Sequence, residues 1–387
     1  MISKKDVLYS FDNGNLITLP KAFGYVDYYV DGHNTRIYDY WYSKYMTAVD
    51  TADNTVFDLL KNILSNPSTP YLDSYEGNNN YYSFELGNVG YITTEHDGVK
   101  VYQKITTKEV ILWPISEQGI NTFLTDWKNY IGQTNDVISC LDSEDRLCYL
   151  DRVDGLAPFR ITLDFDNLGA IVQEGNYFYL KDRTYNTIFN SNKMENIDDV
   201  FEILASKIKN KSTIYVNHDN NSKVVFNLNS IVAIYEDSVQ TEIMTDRNSL
   251  YLDSKFLDMI REEWTNFLAK TGKDKYLSLI NEKYYINFLK VSYVYKTNDT
   301  QLTIVLGNHS IITDIWDFNE LIPSQYNSGN VAINLRTLLT IIKSDGSCWF
   351  RHYRTDIPQL SSEQLDDLLI SWLEYLHLSE SNIIEIN

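Results

Sequence analysis

A nine-residue phrase recurs along this chain, and it constrains the fold more than any single segment does. The phrase is an apolar residue, a polar one, Leu or Phe, two mixed positions, an apolar residue, two more, and a last apolar residue. It reads Phe84-Glu85-Leu86-Gly87-Asn88-Val89-Gly90-Tyr91-Ile92 and returns as residues 163–171, 226–234, 286–294 and 333–341. A looser version, with one extra residue, begins at Ile17-Thr18-Leu19 and ends at Val26. Repetition at such intervals is the mark of an array of small units rather than of one large core. Within the phrase, alternation predicts a strand, a tight step at the Asn, Asp, Gly or Ser positions, and a second strand.

The residues after each phrase repeat as well. Turn residues such as Glu95-His96-Asp97-Gly98 and Ser344-Asp345-Gly346-Ser347 stand between short apolar runs and predict hairpins. A helix is then expected. Ile120, Phe123, Leu124, Trp127 and Ile131 fall at helical spacing after Ser116, and Phe256, Ile260, Trp264 and Phe267 do so after Asp253. Ile197 to Ile208 repeats the pattern after Asn196, and Leu365 to Leu376 after Ser361. Val56, Leu59, Leu60 and Ile63 form a shorter first copy. The helix tryptophan comes 43, 38 and 39 residues after the phrase start for Trp127, Trp264 and Trp372. Large apolar residues on one helix face predict core. The fifth copy departs: Trp316 comes only 30 residues after its phrase start, and its helix, Asp317 to Ile322, is cut by Pro323.

The expected fold class is α+β: tandem small modules, each an antiparallel β-meander followed by an amphipathic helix over its own sheet. The boundaries expected are 1–68, 69–133, 134–211, 212–273, 274–323 and 324–387, with the first module irregular and aromatic-rich and the fifth short in its helix. A lone meander is not stable in water, so each module needs its helix and a neighbour.

Composition removes several functions. A formal charge of −20 opposes a nucleic-acid-binding surface. No apolar run approaches the roughly 18 residues of a membrane span, and the first residues carry no apolar core behind Lys4 and Lys5, so folding in a cytoplasm is expected. Cys140, Cys148 and Cys348 are too few and scattered for a disulfide framework. The six histidines stand apart, with no CxxC or HExxH pattern, so no metal and no cofactor are expected. Asp164 and Asp166 precede Leu168 and Gly175 where a calcium loop needs other residues. Gly272-Lys273 lacks the earlier glycine of a phosphate loop, and no GxSxG is present. With 53 acidic residues, chance carboxylate pairs carry no signal. No catalytic residue is predicted.

Two segments stand out as surfaces. Tyrosine is abundant, with 30 residues, and supplies rigid amphipathic contact area; AT-rich coding is an equally good source of that bias. Tyr25 to Tyr45 is the densest aromatic stretch, and Tyr40-Trp41-Tyr42 puts rings on both faces of a strand. A neighbouring module, a partner subunit or a stacked carbohydrate has to cover one face, so Tyr28, Tyr38, Tyr40, Trp41, Tyr42 and Tyr45 are the candidate interaction surface. Arg351 and Arg354, in Arg351-His352-Tyr353-Arg354, are the candidate anion site; Lys207 to Lys211 instead ends a helix, where cations complement the dipole.

The phrase with its hairpin and closing helix resembles the small FlbD-like module, best in Phe226-Asn227-Leu228 through Ile234 with the helix after Asp253. The whole chain, in its Tyr- and Asn-rich composition and repeated α+β unit, resembles a structural protein of a large tailed, crAss-like bacteriophage. That resemblance implies a non-enzymatic virion component, assembled in the host cytoplasm, in multiple copies in a symmetric assembly. Its partners would be other virion proteins of the portal or neck, capsid or tail, with no direct nucleic acid and no membrane. The competing expectations are an acidic intracellular interaction or inhibitor protein of the DNA-mimic type and a glycan-active enzyme.

Overall fold

The computed structural model describes residues 7–12, 15–19, 23–29, 34–39, 44–49, 57–58, 61–62, 64, 66–68, 71–75, 78–95, 98–103, 109–112, 117–132, 137–139, 160–164, 168–175, 177–190, 201–202, 204–206, 208, 211, 215–217, 222–314, 322, 324–342, 347–350, 354–356, 360–376 and 383–386. The fold is α+β, mostly antiparallel sheet with a few helices.

The first hairpin is β1 (Val7–Asp12) and β2 (Asn15–Leu19). A first sheet comes next, made of β3 (Phe23–Tyr29), β4 (Asn34–Asp39), β5 (Lys44–Val49), β6 (Tyr71–Tyr75) and β7 (Asn78–Phe84) in the order 5-4-3-7-6. The first three strands are a meander. The last two are a hairpin whose second strand returns beside the first strand of the meander, Tyr25 facing Phe84. Helical residues Phe57, Asp58 and Lys61 lie between them in sequence.

The same order occurs four times more. The second sheet holds β8 (Val89–Glu95), β9 (Gly98–Gln103), β10 (Glu109–Leu112), β11 (Val137–Ser139) and β12 (Arg160–Asp164), with α1 (Glu117–Gly132) before β11. The third holds β13 (Leu168–Glu174), β14 (Tyr177–Asp182), β15 (Thr187–Asn190), β16 (Tyr215–Asn217) and β17 (Ser222–Phe226). The fourth holds β18 (Ala233–Glu236), β19 (Gln240–Met244), β20 (Ser249–Asp253), β21 (Leu277–Ile280) and β22 (Tyr284–Asn287), with α2 (Leu257–Lys270) before β21. The fifth holds β23 (Tyr293–Asn298), β24 (Gln301–Leu306), β25 (His309–Asp314), β26 (Gln325–Asn327) and β27 (Val331–Asn334).

The sixth sheet differs. Its meander is β28 (Leu338–Ile342), β29 (Ser347–Phe350) and β30 (Arg354–Asp356), with α3 (Ser362–Tyr375) after it. The hairpin beside β28 comes from the other end of the sequence: β2 pairs with β28, Thr18 facing Ile341. A sixth strand, β31 (Ile383–Ile386), then lies parallel to β1.

This changes where the repeat divides. In the phrases that begin at Phe84, Phe226, Ile286 and Ile333 the tight step exists, but it carries the chain out of one sheet and into the next. The expected boundaries at 68/69, 133/134, 211/212, 273/274 and 323/324 each fall before a hairpin that completes the preceding sheet. The first residue of a phrase faces the eighth of the phrase before it: Phe84 with Tyr25, Leu163 with Tyr91, Phe226 with Ala170, Ile286 with Ala233, Ile333 with Tyr293. In the sixth sheet Ile17 faces Ile342, and continuing that register puts Leu19 opposite Thr340. Leu19, two residues later than the sequence pattern suggests, therefore holds the equivalent place. The two-residue offset keeps the same face inward.

The steps are short 3-10 turns at Leu86–Asn88, Leu228–Ser230 and Phe288–Lys290. The polar second residue of the phrase caps each one. Asn227 and Asn287 accept from the backbone N–H two residues on, at 3.0 and 3.1 Å, and Asn334 does the same at 3.2 Å. Their own N–H groups reach the preceding phrase: Asn227 donates to the Gly169 carbonyl at 2.7 Å, Asn287 to Val232 at 3.1 Å and Asn334 to Ser292 at 3.0 Å. The side-chain Nδ2 of Asn334 adds a bond to the Val291 carbonyl at 2.9 Å. Asparagine suits the position because a buried site must be served by one acceptor and one donor at once.

α1, α2 and α3 are where the apolar spacing puts them, while the expected helices over Val56–Ile63 and Ile197–Ile208 lie largely outside the described residues. Asp253 caps the lead-in to α2, and Ser361 with Gln364 forms a capping box on α3. Trp127, Trp264 and Trp372 are fully buried. Both α2 and α3 pack between two sheets rather than over their own alone. Leu257, Ile260 and Trp264 of α2 join Ala170, Val172 and Phe226 of the third sheet and Ile234 and Ile243 of the fourth. Leu365, Leu368 and Trp372 of α3 join Tyr293 and Ile333 of the fifth and Leu338 and Ile341 of the sixth. The other face of the fourth sheet, with Ala233, Met244 and Ile286, packs on Val294, Ile304 and Ala332 of the fifth. Trp316 and the expected helix from Asp317 lie outside the described residues, apart from Ile322, which is buried in that layer.

Candidate interaction surface

The aromatic segment folds into β3, β4 and β5, and alternation sends its rings both ways. Tyr25 and Tyr38 are directly opposite and stack at 4.1 Å with their planes 9° apart. Phe84 stacks on Tyr25 at 5.0 Å, and Phe123 of α1 meets Phe84 at 5.2 Å. On the other face Tyr28 is buried at 2% exposure, with Phe57 and Tyr81 as ring neighbours. The neighbouring sheet and α1 thus cover the Tyr25 face of the described strands, and Phe57 and Tyr81 lie beside Tyr28 on the other. Tyr28 is core and Tyr38 is half-buried in the Tyr25 stack, so neither presents a free face. Tyr40, Trp41 and Tyr42 lie outside the described residues. Tyr45 is on β5 and Arg354 on β30, with side chains outside the described set, as is Arg351 altogether.

One charge pair is locked within this cluster. Arg36, opposite Asp27 on the adjacent strand, forks both carboxylate oxygens at 2.8 Å. Asp27 is buried. Burial works against the Arg36 charge, but the bonds to Asp27 outweigh it and raise its pKa. Burial, with the Asp27 charge behind it, pushes the Tyr38 phenol up to about 12.

A second buried carboxylate sits at the turn between β14 and β15. Asp182 Oδ1 accepts from the Thr184 N–H at 2.8 Å, the Thr184 hydroxyl at 2.9 Å and the Asn186 N–H at 3.1 Å. Burial dominates and pushes it up to about 6, with these donors pulling the other way. The neighbouring turn clasps it, since Asn248 Nδ2 donates to the Thr184 carbonyl and to Asn186 Oδ1, both at 2.8 Å. The next turn continues the line, Asn308 N–H donating to the Asp246 carbonyl at 2.9 Å. These contacts satisfy one another and join sheets. Among the described residues no cluster of His, Cys, Asp and Glu is arranged to hold a metal.

Seven of the described large apolar side chains are exposed, Val239 and Ile370 among them, and three of the seven lie on sheet edges. Tyr251 is 56% exposed on β20, Leu279 48% on β21 and Ile312 54% on β25. All three are on the edge strands of the fourth and fifth sheets. Leu279 and Ile312 flank a junction, because Asn281 donates from Nδ2 to the Ile312 carbonyl at 3.0 Å and accepts from the Thr313 hydroxyl at 2.9 Å. An edge strand with outward apolar side chains is a template for strand addition. The only sequence signal was a run such as Leu250-Tyr251-Leu252, where three apolar residues in a row force one outward.

No protein-family model, no curated protein and no solved structure matches this chain.

Proposed function

We propose that this chain is a non-enzymatic structural component of a tailed phage particle, a tandem array of six α+β units that binds other virion proteins. The observation that carries the reading is the surface left once the sheets have packed. Both faces of the fourth sheet are taken up by neighbouring layers. What it offers to a partner is its edges and turns, with Tyr251 and Leu279 outward on its two edge strands. Such a surface fits large-area contact and strand addition with portal, neck, capsid or tail proteins. In this reading Tyr251, Leu279 and Ile312 take the place of the Tyr28 and Tyr38 surface as the first contacts to test.

Mass spectrometry of purified particles tests it. The chain is expected in mature virions at a fixed ratio to the major capsid protein, and its absence from them would sink the proposal.

A further inference from the structure

In five sheets the outer hairpin comes after the meander in sequence; in the sixth, β1 and β2 hold that place. Yet a strand also comes after α3. Ile383 begins β31 eight positions after Tyr375, as Leu277 begins β21 seven after Lys270 and Val137 begins β11 five after Gly132. By order along the chain, β31 corresponds to β11 and β21, the outermost strand of each five-stranded sheet. Its direction agrees. β21 is antiparallel to β22, β1 is antiparallel to β2, and β31 is parallel to β1. Both β1 and β31 therefore run the way the outer place requires. β1 has taken it, and β31 lies one strand further out, where among the described residues no other sheet has a strand.

We propose that β1 and β31 are alternative occupants of one place, so that the sixth sheet has two closed states. In one, β1 pairs with β2 and β31 covers it. In the other, β31 moves inward onto β2 and β1 leaves as a free strand. The register of the first state sets that of the second. Val7 faces Ile383 and Tyr9 faces Glu385, while Leu8 faces Leu19 and Tyr9 faces Thr18. With β31 in the place of β1, Ile384 faces Leu19 and Glu385 faces Thr18. Nothing in the exchange disturbs β2, which keeps its pairing with β28. A chain with β1 free carries a loose strand at the joint between its first and last sheets, where a closed sheet order becomes an openable one.

Two cysteine pairs test this, Thr18→Cys with Glu385→Cys and Leu19→Cys with Ile384→Cys, in a background where Cys140, Cys148 and Cys348 are replaced by alanine. Adjacent register positions alternate between the two kinds of antiparallel pair, so one of the two is the closer kind. In the full chain β1 separates the partners by two strand spacings, about 9.5 Å, beyond the roughly 7 Å limit for a disulfide. In a chain starting at residue 13 the proposal expects one pair to close in most molecules, with cooperative melting retained. Ser10→Pro in the full chain, which breaks the β1 ladder while leaving every other strand in place, is expected to close the same pair. A folded truncated chain without the bond, an unfolded truncated chain, or a full-length cysteine variant that closes as fast and as fully as the truncated one each overturns the proposal, whereas slow closure of the full-length variant is the second state being trapped. Removing residues 383–387 as well as β1 is expected to cost far more stability than the two single deletions added together.

Discussion

At the scale of single residues, the two buried carboxylates are solved in opposite ways. Asp27 is paired: Arg36 holds it from the neighbouring strand. Removing the partner leaves a charge in the core, so Arg36→Ala is expected to cost on the order of 3 kcal/mol in chemical denaturation. Adding Asp27→Asn to that variant is expected to recover most of the loss, since the buried charge is then gone. Asp182 is held by backbone, hydroxyl and amide donors, and burial pushes it up to about 6. The folded state takes up its proton before the unfolded state does as pH falls. Its contribution is therefore complete in acid below the ordinary aspartate range and is lost as pH rises through about 6. The whole swing is on the order of 3 kcal/mol. Denaturation midpoints at pH 5 and pH 8 are expected to lie closer together in Asp182→Asn than in the unaltered chain, because an amide keeps the acceptor Oδ1 and does not titrate. Neither carboxylate announced its state in the sequence. Asp27 and Asp182 are two of 53 acidic residues, and only pairing across strands separates them from the rest.

At the scale of elements, the helices were legible and the sheets were not. The spacing of Phe256, Ile260, Trp264 and Phe267 marks α2, and the apolar stripe accounts for the burial of Trp127, Trp264 and Trp372. The strands of the phrase were legible too. Their partners were not, because the pairing of Phe226 with Ala170 or Ile333 with Tyr293 spans dozens of residues and leaves no local pattern. The polar second position reads only as part of the first strand, with the step assigned to the middle of the phrase; at Asn227, Asn287 and Asn334 it is a cap that also ties one phrase to the next. Turn glycines show how tight these joints are. Gly307 has a left-handed φ of 57°, and a Cβ there would overlap the Asp246 carbonyl that Asn308 bonds across the sheet junction. Gly272 also has a left-handed φ, 66°, but closes α2 with open space around it. Gly272→Ala is expected to cost about 1 kcal/mol, the backbone strain alone. Gly307→Ala is expected to cost at least about 2 kcal/mol more, because the junction has to open as well. Thermal melts of the two variants side by side distinguish the contributions.

At the scale of the whole molecule, sharing decides how it behaves. The layer around Trp264 takes residues from the third sheet, α2 and the fourth sheet, and the layer around Trp372 joins the fifth and sixth. The sequence pattern leads to the expectation of a helix over its own sheet alone. Placing it between two makes the dependence mutual. The unit from Ala233 to Asn287 has every strand of its own sheet and its own helix, yet it lacks Val172 and Phe226 on one side and Val294 and Ile304 on the other. Expressed alone, this segment is expected to show little fixed structure by circular dichroism and no cooperative melt. The full chain is expected to melt with strong coupling between sheets, unlike an open solenoid, where stability is a sum of neighbour terms that can fray from an end. Here β2 pairs with β28, so the first and last units are neighbours as well, and fraying has to begin by opening the sixth sheet. Deleting residues 1–19, which removes both strands of that hairpin, is then expected to lower the midpoint and broaden the transition together. A lowered midpoint with an unchanged width would mean that the hairpin adds stability without closing anything.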